Sequence, residues 1–586
     1  MSRIVSQNYK TGKISLITSQ LPALKSGGVL VKTSYSLISA GTEGMKVREG
    51  KMNYFEKAKA RPDQVKKVLE SVRQQGLLST YQKVINKLDS LTPLGYSTSG
   101  IVVEVASDVH ELEVGQLVAC AGAGYANHAE LNFVPKNLVV PVPLNVSQEH
   151  AAFTTVGAIA MQGYRQAEMQ LGEVACVIGL GLLGQILVQI LKAGGVEVIG
   201  VDISENRCRL AEKAGAGFAG HPDDKSVRSA IKAMTSGFGA DVIFITAGGD
   251  SNGPAELAVE VARDRGRVVD IGKTKLDLSW KDYYEKEIDV RFSRSYGPGR
   301  YDSNYEEKGI DYPIGYVRWT ERRNMESFLN LISHKKIDLD LIISDIFSFS
   351  QAEEVYQKLS EGKLTGIGVL FKYEENNKVG HSDKGNKKVA FAGEVKGSIK
   401  HIVNIGIIGA GNYASSMLLP HLKNNPDAKL LQVATATPLS GENAKRKFLF
   451  EESTTDYELM LTRQDIDAVI IATRHKAHAS MTVNVLKHGK AVFVEKPLAI
   501  DIEGLEKIRE TIIETGNDRI QVGFNRRFSP MVIKMKKNLS QIIQPLIITY
   551  RVHAGQMDAN SWYLDTDEGS RFIGEAGHFI DVISFL

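Results

Sequence analysis

The sequence predicts an α/β protein with two separate parallel sheets, each carrying its own dinucleotide loop, and three observations support that class. ACVIGLGLLG, residues 175–184, runs an apolar strand into Gly179, Gly181 and Gly184, and IVNIGIIGAGNYA, residues 402–414, does the same into Gly409, Gly411 and Ala414. After each loop, apolar strands alternate with helical stretches, the pattern of a parallel sheet with crossover helices. Between the halves, residues 373–400 are mostly polar and rich in Gly and Lys, the best linker in the chain.

Composition sets bounds on this reading. The 586 residues have room for several cores, roughly four domains of about 150 residues each. Apolar residues at 43% and charged residues at 24% are ordinary globular values and exclude a disordered or fibrous class. A net charge of +3, with no basic stretch interleaved with aromatics, gives no expectation of a nucleic-acid partner. Cys120, Cys176 and Cys208 show no CxxC spacing, which argues against a disulfide framework and a thiolate zinc cluster. The start, MSRIVSQNYKTGKISLI, lacks the basic region and continuous apolar segment of a secretory signal, so a cytoplasmic location is expected. The apolar run Ala175–Leu191 is interrupted at Gly179, Gly181, Gly184, Gln185 and Gln189, so no membrane partner is expected.

In chain order, VLVKTSYSL at 29–37, GIVVEV at 100–105 and GQLVACAG at 115–122 alternate apolar and polar residues as short half-buried strands. Met45 to Asp89 reads as a helical insertion, with Val65, Val68, Leu69 and Val72 at helical spacing. ACVIG, VEVIGVD, DVIFITAG and GRVVDIG then form the first parallel sheet, and VNIGIIG, KLLQVATA, AVIIATR, AVFVEKP and IQVGFN the second.

In G-x-G-x-x-G, the first glycine makes the tight turn, the second lets the backbone approach a pyrophosphate, and the third lets helix and strand pack. Gly179, Gly181 and Gly184 fill those places after a strand and before the apolar helix QILVQILK. Asp202, at the end of VEVIGVD, can hydrogen-bond ribose hydroxyls and would repel a 2'-phosphate, which points to NAD as the first cofactor.

SLISAGTE at 36–43, LGYSTSGIVVEV at 94–105, this fingerprint with Asp202, and GADVIFITAGG resemble the medium-chain dehydrogenase/reductase family, relatives of the zinc alcohol dehydrogenases. The resemblance implies a GroES-like barrel at 1–160 and 300–372, with the insertion at 45–90, and a Rossmann domain at 161–299. The chain departs from the family at the metal. Ser39, Ala40 and Gly41 stand where zinc members carry Cys, Gly and an acidic residue, and Gly95, Tyr96 and Ser97 stand for Gly-His-Glu. The four-cysteine lobe is also missing, so no zinc is expected. A substrate oxygen must then be polarised by hydrogen-bond donors, for which Ser39, Thr42, Tyr96 and His128 are candidates, Tyr96 as the catalytic one.

GAGNYA at 409–414, ATRHKAH at 472–478, VEKP at 494–497, GFNRRFSP at 523–530 and GHFID at 577–581 resemble the glucose-fructose oxidoreductase and inositol dehydrogenase (Gfo/Idh/MocA) family. This implies a second Rossmann domain at 401–522 holding its cofactor with Gly409, Gly411, Ala414, Thr473, Glu495 and Lys496. It also implies that Lys496 sits near nicotinamide and substrate and that His578 is the catalytic histidine. The chemistry agrees: oxidising a carbinol needs a base for the hydroxyl proton, and histidine is tuned nearest neutral pH. Where family members place an Asp four residues before the histidine, this chain has Gly574, with Glu575 as the candidate substitute. LLQVATA ends without an acidic residue, which leaves NAD or NADP open for this half.

The whole arrangement resembles bacterial bi-domain oxidoreductases, whose likeness implies a small sugar-like substrate and leaves room for a homo-oligomer. In the second family an open α+β sheet domain follows, so residues 523–586 are expected to be an incomplete, C-terminally truncated substrate domain. Its last helix is expected to expose Phe579, Ile580, Val582, Ile583 and Leu586. The competing expectation is a nucleotide-binding scaffold or redox sensor in which one or both modules are catalytically silent.

Overall fold

A computed structural model describes residues 1–53, 56, 57, 59, 62–374, 402–542, 544, 545, 547–553, 555, 557 and 561–586. The expected linker at 373–400 lies outside the described residues except for Tyr373 and Glu374. The chain divides into two compact units, residues 1–62 with 89–379 and residues 63–88 with 380–586.

In the first unit, the long strand Gly28–Ile38 anchors a seven-stranded sheet. It pairs antiparallel with Ser97–Val105, Leu131–Pro135 and Gly368–Lys372. The last pairing, Val369 opposite Ile38, is the return of the chain to its first sheet after the intervening α/β segment. Alternation in VLVKTSYSL puts Val29, Val31, Tyr35 and Leu37 into the core, as a half-buried strand requires. The insertion is helical, but its first helix, Ala40–Lys51, begins directly after Ser39 rather than at Met45. Pro62–Gln75 and Leu77–Leu88 follow, and Leu77–Leu88 packs on the turn Ala414–Leu418 of the second unit to which it belongs.

The parallel sheet of the first unit has six strands in the order Phe218–Gly220, Glu197–Val201, Val174–Ile178, Ala240–Ile245, Ala262–Asp270, Asp289–Phe292. This is the doubly wound 3-2-1-4-5-6 order, which opens a crevice at the carboxyl ends of the first and fourth strands. Val174–Ile178 is buried along its whole length, because helices cover both faces of such a sheet. The apolar run from Ala175 is therefore a strand, a glycine turn and the helix Leu182–Ala193. Among the described residues, no helix is long and apolar enough to cross a membrane.

The second unit repeats the same order with Glu452–Thr454, Ala428–Ala434, Val403–Ile408, Ala468–Ile471, Ala491–Val494 and Ile520–Val522. Its core joins Ile408, Leu431, Val469, Ile471, Val485 and Val494. Helix Gly577–Phe585 follows, and there the expected apolar face is only partly open: Ile580 and Ile583 are exposed, whereas Val582 is buried.

Candidate active sites

The first glycine turn shows why those residues are glycines. Gly179 has φ 101°, and a Cβ on it would lie 2.5 Å from the backbone nitrogen of Ala247. A Cβ on Gly184 would lie 2.0 Å from the Gly179 carbonyl oxygen, so the helix approaches the strand only without one. Gly181 meets nothing within 4 Å and faces open space, and it starts helix Leu182–Ala193 with no side-chain cap. The first amides of that helix are therefore left for an anionic ligand.

Asp202 is nearly buried at the end of the second strand, and its oxygens accept from the amides of Leu180 at 2.7 Å and Ser204 at 2.9 Å. Arg207 stands 3.7 Å away. The carboxylate is thus already oriented by the main chain.

A cleft of about 1770 Å³ holds Gly179, Gly181 and Asp202 together with Ser39, Thr42 and Tyr96, which adjoin strands Gly28–Ile38 and Ser97–Val105 of the seven-stranded sheet. Tyr96 is buried, and its hydroxyl is hydrogen-bonded to the side chains of Ser39 and Thr42. Burial, with the Glu43 carboxylate adding to it, pushes the Tyr96 phenol up to about 12. Ser39 is the residue before helix Ala40–Lys51, yet its side chain does not cap that helix, which leaves the hydroxyl for Tyr96.

His128 is not part of this trio. It is fully buried, with Nε2 3.1 Å from Glu43 Oε2 and Nδ1 2.7 Å from Ser36 Oγ. Glu43 and Tyr356, whose hydroxyl also donates to Glu43, escaped the sequence reading. The signal for Glu43 was the acidic end of SAGTE, but nothing in the sequence ties it to His128 or Tyr356.

The donors at the zinc positions do not fit a catalytic zinc. Ala40, Gly41 and Gly95 carry no ligand atom, the Ser39 hydroxyl is hydrogen-bonded to Tyr96, burial holds Tyr96 protonated, and Ser97 donates to the Ala152 carbonyl. Among the described residues no group of three or more His, Cys, Asp or Glu could hold a metal ion.

In the second unit Gly409 has φ 94°, and a Cβ on it would lie 2.4 Å from the Ala472 carbonyl and 3.1 Å from Thr473 Cγ2. Gly411 faces open space, Ala414 is buried, and the neighbouring Tyr413 is hydrogen-bonded to Glu495. The glycine loop, Thr473 and the Glu495-Lys496 pair therefore lie together. Thr437 caps the helix after the second strand through Ser440 N, and Thr435 bonds the Thr437 carbonyl, so neutral hydroxyls occupy the place held by Asp202 in the first sheet.

Lys496, Glu575 and His578 share a smaller cleft of about 520 Å³ with Tyr563 and Arg526. Lys496 Nζ donates to the Gly574 carbonyl at 2.5 Å. Burial holds Lys496 below its ordinary value, against the pull of Glu495 and Glu575. His578 is pushed down to about 4 by burial and then by Lys496 and Arg526, so it is neutral at pH 7, and its Nδ1 has no hydrogen-bond partner among the described residues. Glu575 is turned to Arg571 at 2.9 Å. At Gly574 a Cβ would stand 2.9 Å from Tyr563 Cε1 and 3.0 Å from His475 Cε1, so an aspartate there would require both rings to shift. Tyr563 fills that place, a residue the sequence did not single out.

Residues 183–308 match the zinc-binding dehydrogenase family, and residues 403–524 match the GFO_IDH_MocA oxidoreductase family with an NAD-binding Rossmann fold. D-guloside 3-dehydrogenase of Escherichia coli is 28% identical over 276 residues, 45% of this chain and 73% of that enzyme. Inositol 2-dehydrogenase of Rhizobium meliloti is 33% identical over 135 residues, 23% of this chain and 40% of that enzyme. Galactitol-1-phosphate dehydrogenase from Escherichia coli superposes with a TM-score of 0.48 at 19% identity, covering 64% of this chain and 99% of that one.

Proposed function

We propose that the chain joins a medium-chain dehydrogenase/reductase module to an oxidoreductase module of the Gfo/Idh/MocA family and works as a tandem NAD(P)-dependent oxidoreductase acting on a hydroxyl or carbonyl of a sugar, polyol or sugar derivative, a reading supported by the two family matches and the sugar dehydrogenase relatives. The observation that carries the reading is the first cleft, which brings a dinucleotide turn and Asp202 into one space with a buried tyrosine and two hydroxyl donors.

A bound nicotinamide supplies or accepts the hydride. The protein's own part is the proton. In the reducing direction Tyr96 gives its proton to the substrate oxygen, and Ser39 and Thr42 stabilise the phenolate by hydrogen bonds until it is reprotonated. In the second cleft Lys496 orients the substrate oxygen, and neutral His578 accepts its proton during oxidation. No step in the first module needs zinc, and the donor set favours zinc-free chemistry there.

The first module reads as NAD-dependent through Asp202, and the second, with Thr435 and Thr437 in place of an acid, takes NAD or NADP. The small net charge fits a small-molecule substrate rather than nucleic acid.

Asp202→Ala is expected to weaken NAD binding by about 1 kcal/mol or more, measured by nucleotide titration. Unchanged affinity would remove Asp202 from the cofactor site. Metal analysis of the purified protein is expected to show no stoichiometric zinc in the active enzyme; zinc at one per chain that tracks activity would overturn the zinc-free reading. Following NADH absorbance against a panel of sugars, polyols and nucleotide sugars tests the function itself. No turnover with any of them, alongside intact nucleotide binding, would favour the scaffold or sensor reading. The crowding of Gly574 by Tyr563 is the observation that lends weight to a silent second module.

A further inference from the structure

Behind Tyr96 lies a polar network that the proton transfer above does not use. Glu43 and His128 side chains are both 0% exposed. Burying two such groups is tolerable only when their remaining hydrogen-bonding positions are filled, and here they are. Glu43 Oε1 accepts from Ser39 N at 3.0 Å, while Oε2 meets His128 Nε2 at 3.1 Å and accepts from the Tyr356 hydroxyl. On the far side, His128 Nδ1 meets Ser36 Oγ at 2.7 Å, and Ser36 Oγ meets Tyr373 OH at 2.9 Å. Helix Ala40–Lys51, strand Gly28–Ile38, helix Ala352–Ser360, the loop carrying His128 and the end of strand Gly368–Lys372 each contribute to it.

We propose that the buried Glu43–His128 pair is the positioning element of the first oxygen-binding site, fixing Ser39 against the Tyr96 hydroxyl and keeping that hydroxyl a proton donor. Two features single out this role over plain packing. Glu43 holds the Ser39 turn from both sides, since its amide donates to the Ser39 carbonyl at 2.8 Å while its carboxylate accepts from the Ser39 amide. Its charge also reaches Tyr96 itself, opposing ionisation of the phenol. The hydroxyls of Ser39 and Tyr96 thereby gain a rigid, charged backing. The titratable groups facing Glu43 are Tyr96, His128 and Tyr356, with Tyr373 and Glu130 behind them, and Glu130 is itself paired with Arg3 at 2.7 Å. The inference rests on Tyr96 being the proton donor of the first module.

The test uses the full chain labelled with fluorotyrosine, and fluorine NMR follows the Tyr96 resonance, assigned by its loss in Tyr96→Phe. In Glu43→Gln the Tyr96 titration midpoint is expected to fall by about one pH unit, since an adjacent like charge has been removed, whereas Glu43→Asp, which keeps the charge, should restore most of it. Should Glu43→Gln not fold, Glu43→Met/His128→Phe replaces the pair without leaving either charge alone in the core, and the same downward move is expected. A folded variant with a lower melting temperature and an unmoved midpoint overturns the proposal, because that is the signature of a structural role alone. The two readings fail differently. Full first-module turnover in Tyr96→Phe sinks the Tyr96 assignment, whereas lost turnover in Tyr96→Phe with an unresponsive midpoint in Glu43→Gln sinks only the positioning role.

Discussion

Replacing Tyr96 with phenylalanine is expected to cut turnover at the first cleft by about 10²–10³-fold, the usual cost of removing one preorganised donor to a developing oxyanion. Nucleotide affinity should stay nearly unchanged, since Tyr96 lies on the seven-stranded-sheet side of the cleft and the glycine turn is untouched. The pH dependence gives a second signature. With the phenol pushed up to about 12 by burial, Tyr96 carries its proton throughout the neutral range, so reduction of a carbonyl should be flat there. The proton-accepting form appears only as pH rises toward that value, so oxidation of an alcohol should climb with pH in the native enzyme. Tyr96→Phe should abolish the climb. Steady-state rates in both directions across pH, beside a nucleotide titration, check this. A variant that loses affinity in step with its rate would assign Tyr96 to the cofactor or the fold instead.

Lys496→Ala should suppress turnover at the second cleft by about 10²-fold or more, again with cofactor affinity nearly unchanged. Its half-buried ammonium donates to the Gly574 carbonyl and opens into the space shared with His578 and Tyr563, so its loss removes the proposed donor to the substrate oxygen. Below about pH 4, oxidation in this half should fail in the native protein as well, because His578 then holds a proton and no longer accepts one. Comparing Lys496→Ala with Asp202→Ala on the same substrate panel shows which half turns over each compound. If Lys496→Ala costs rate and nucleotide binding in proportion, its catalytic role fails.

The pattern of residues along the chain was enough to locate both dinucleotide turns. The demands of such a turn are local: a strand, a positive-φ glycine, a contact too close for a Cβ and an apolar helix all fall within about ten neighbouring residues; Gly179 and Gly409 supply the positive φ, Gly179, Gly184 and Gly409 the close contacts, and Gly181 and Gly411 face open space. Period-two alternation likewise placed the strands of the first antiparallel sheet, and apolar runs separated by helical stretches placed both parallel sheets, because either pattern is visible in a short window.

The buried network around Glu43 could be read only from the folded chain. Glu43 lies 85 residues from His128 and 313 from Tyr356, and each is an ordinary residue in its own segment. Their partnership exists because strand Gly28–Ile38 pairs with Gly368–Lys372, which brings the returning chain and its helix back over the first sheet. The same holds for Tyr563, which takes the space beside Gly574 through a contact that spacing alone does not encode. Satisfying a buried carboxylate or filling a cleft wall is a requirement on three-dimensional neighbours, so tertiary structure decided those residues while local sequence decided the cofactor loops.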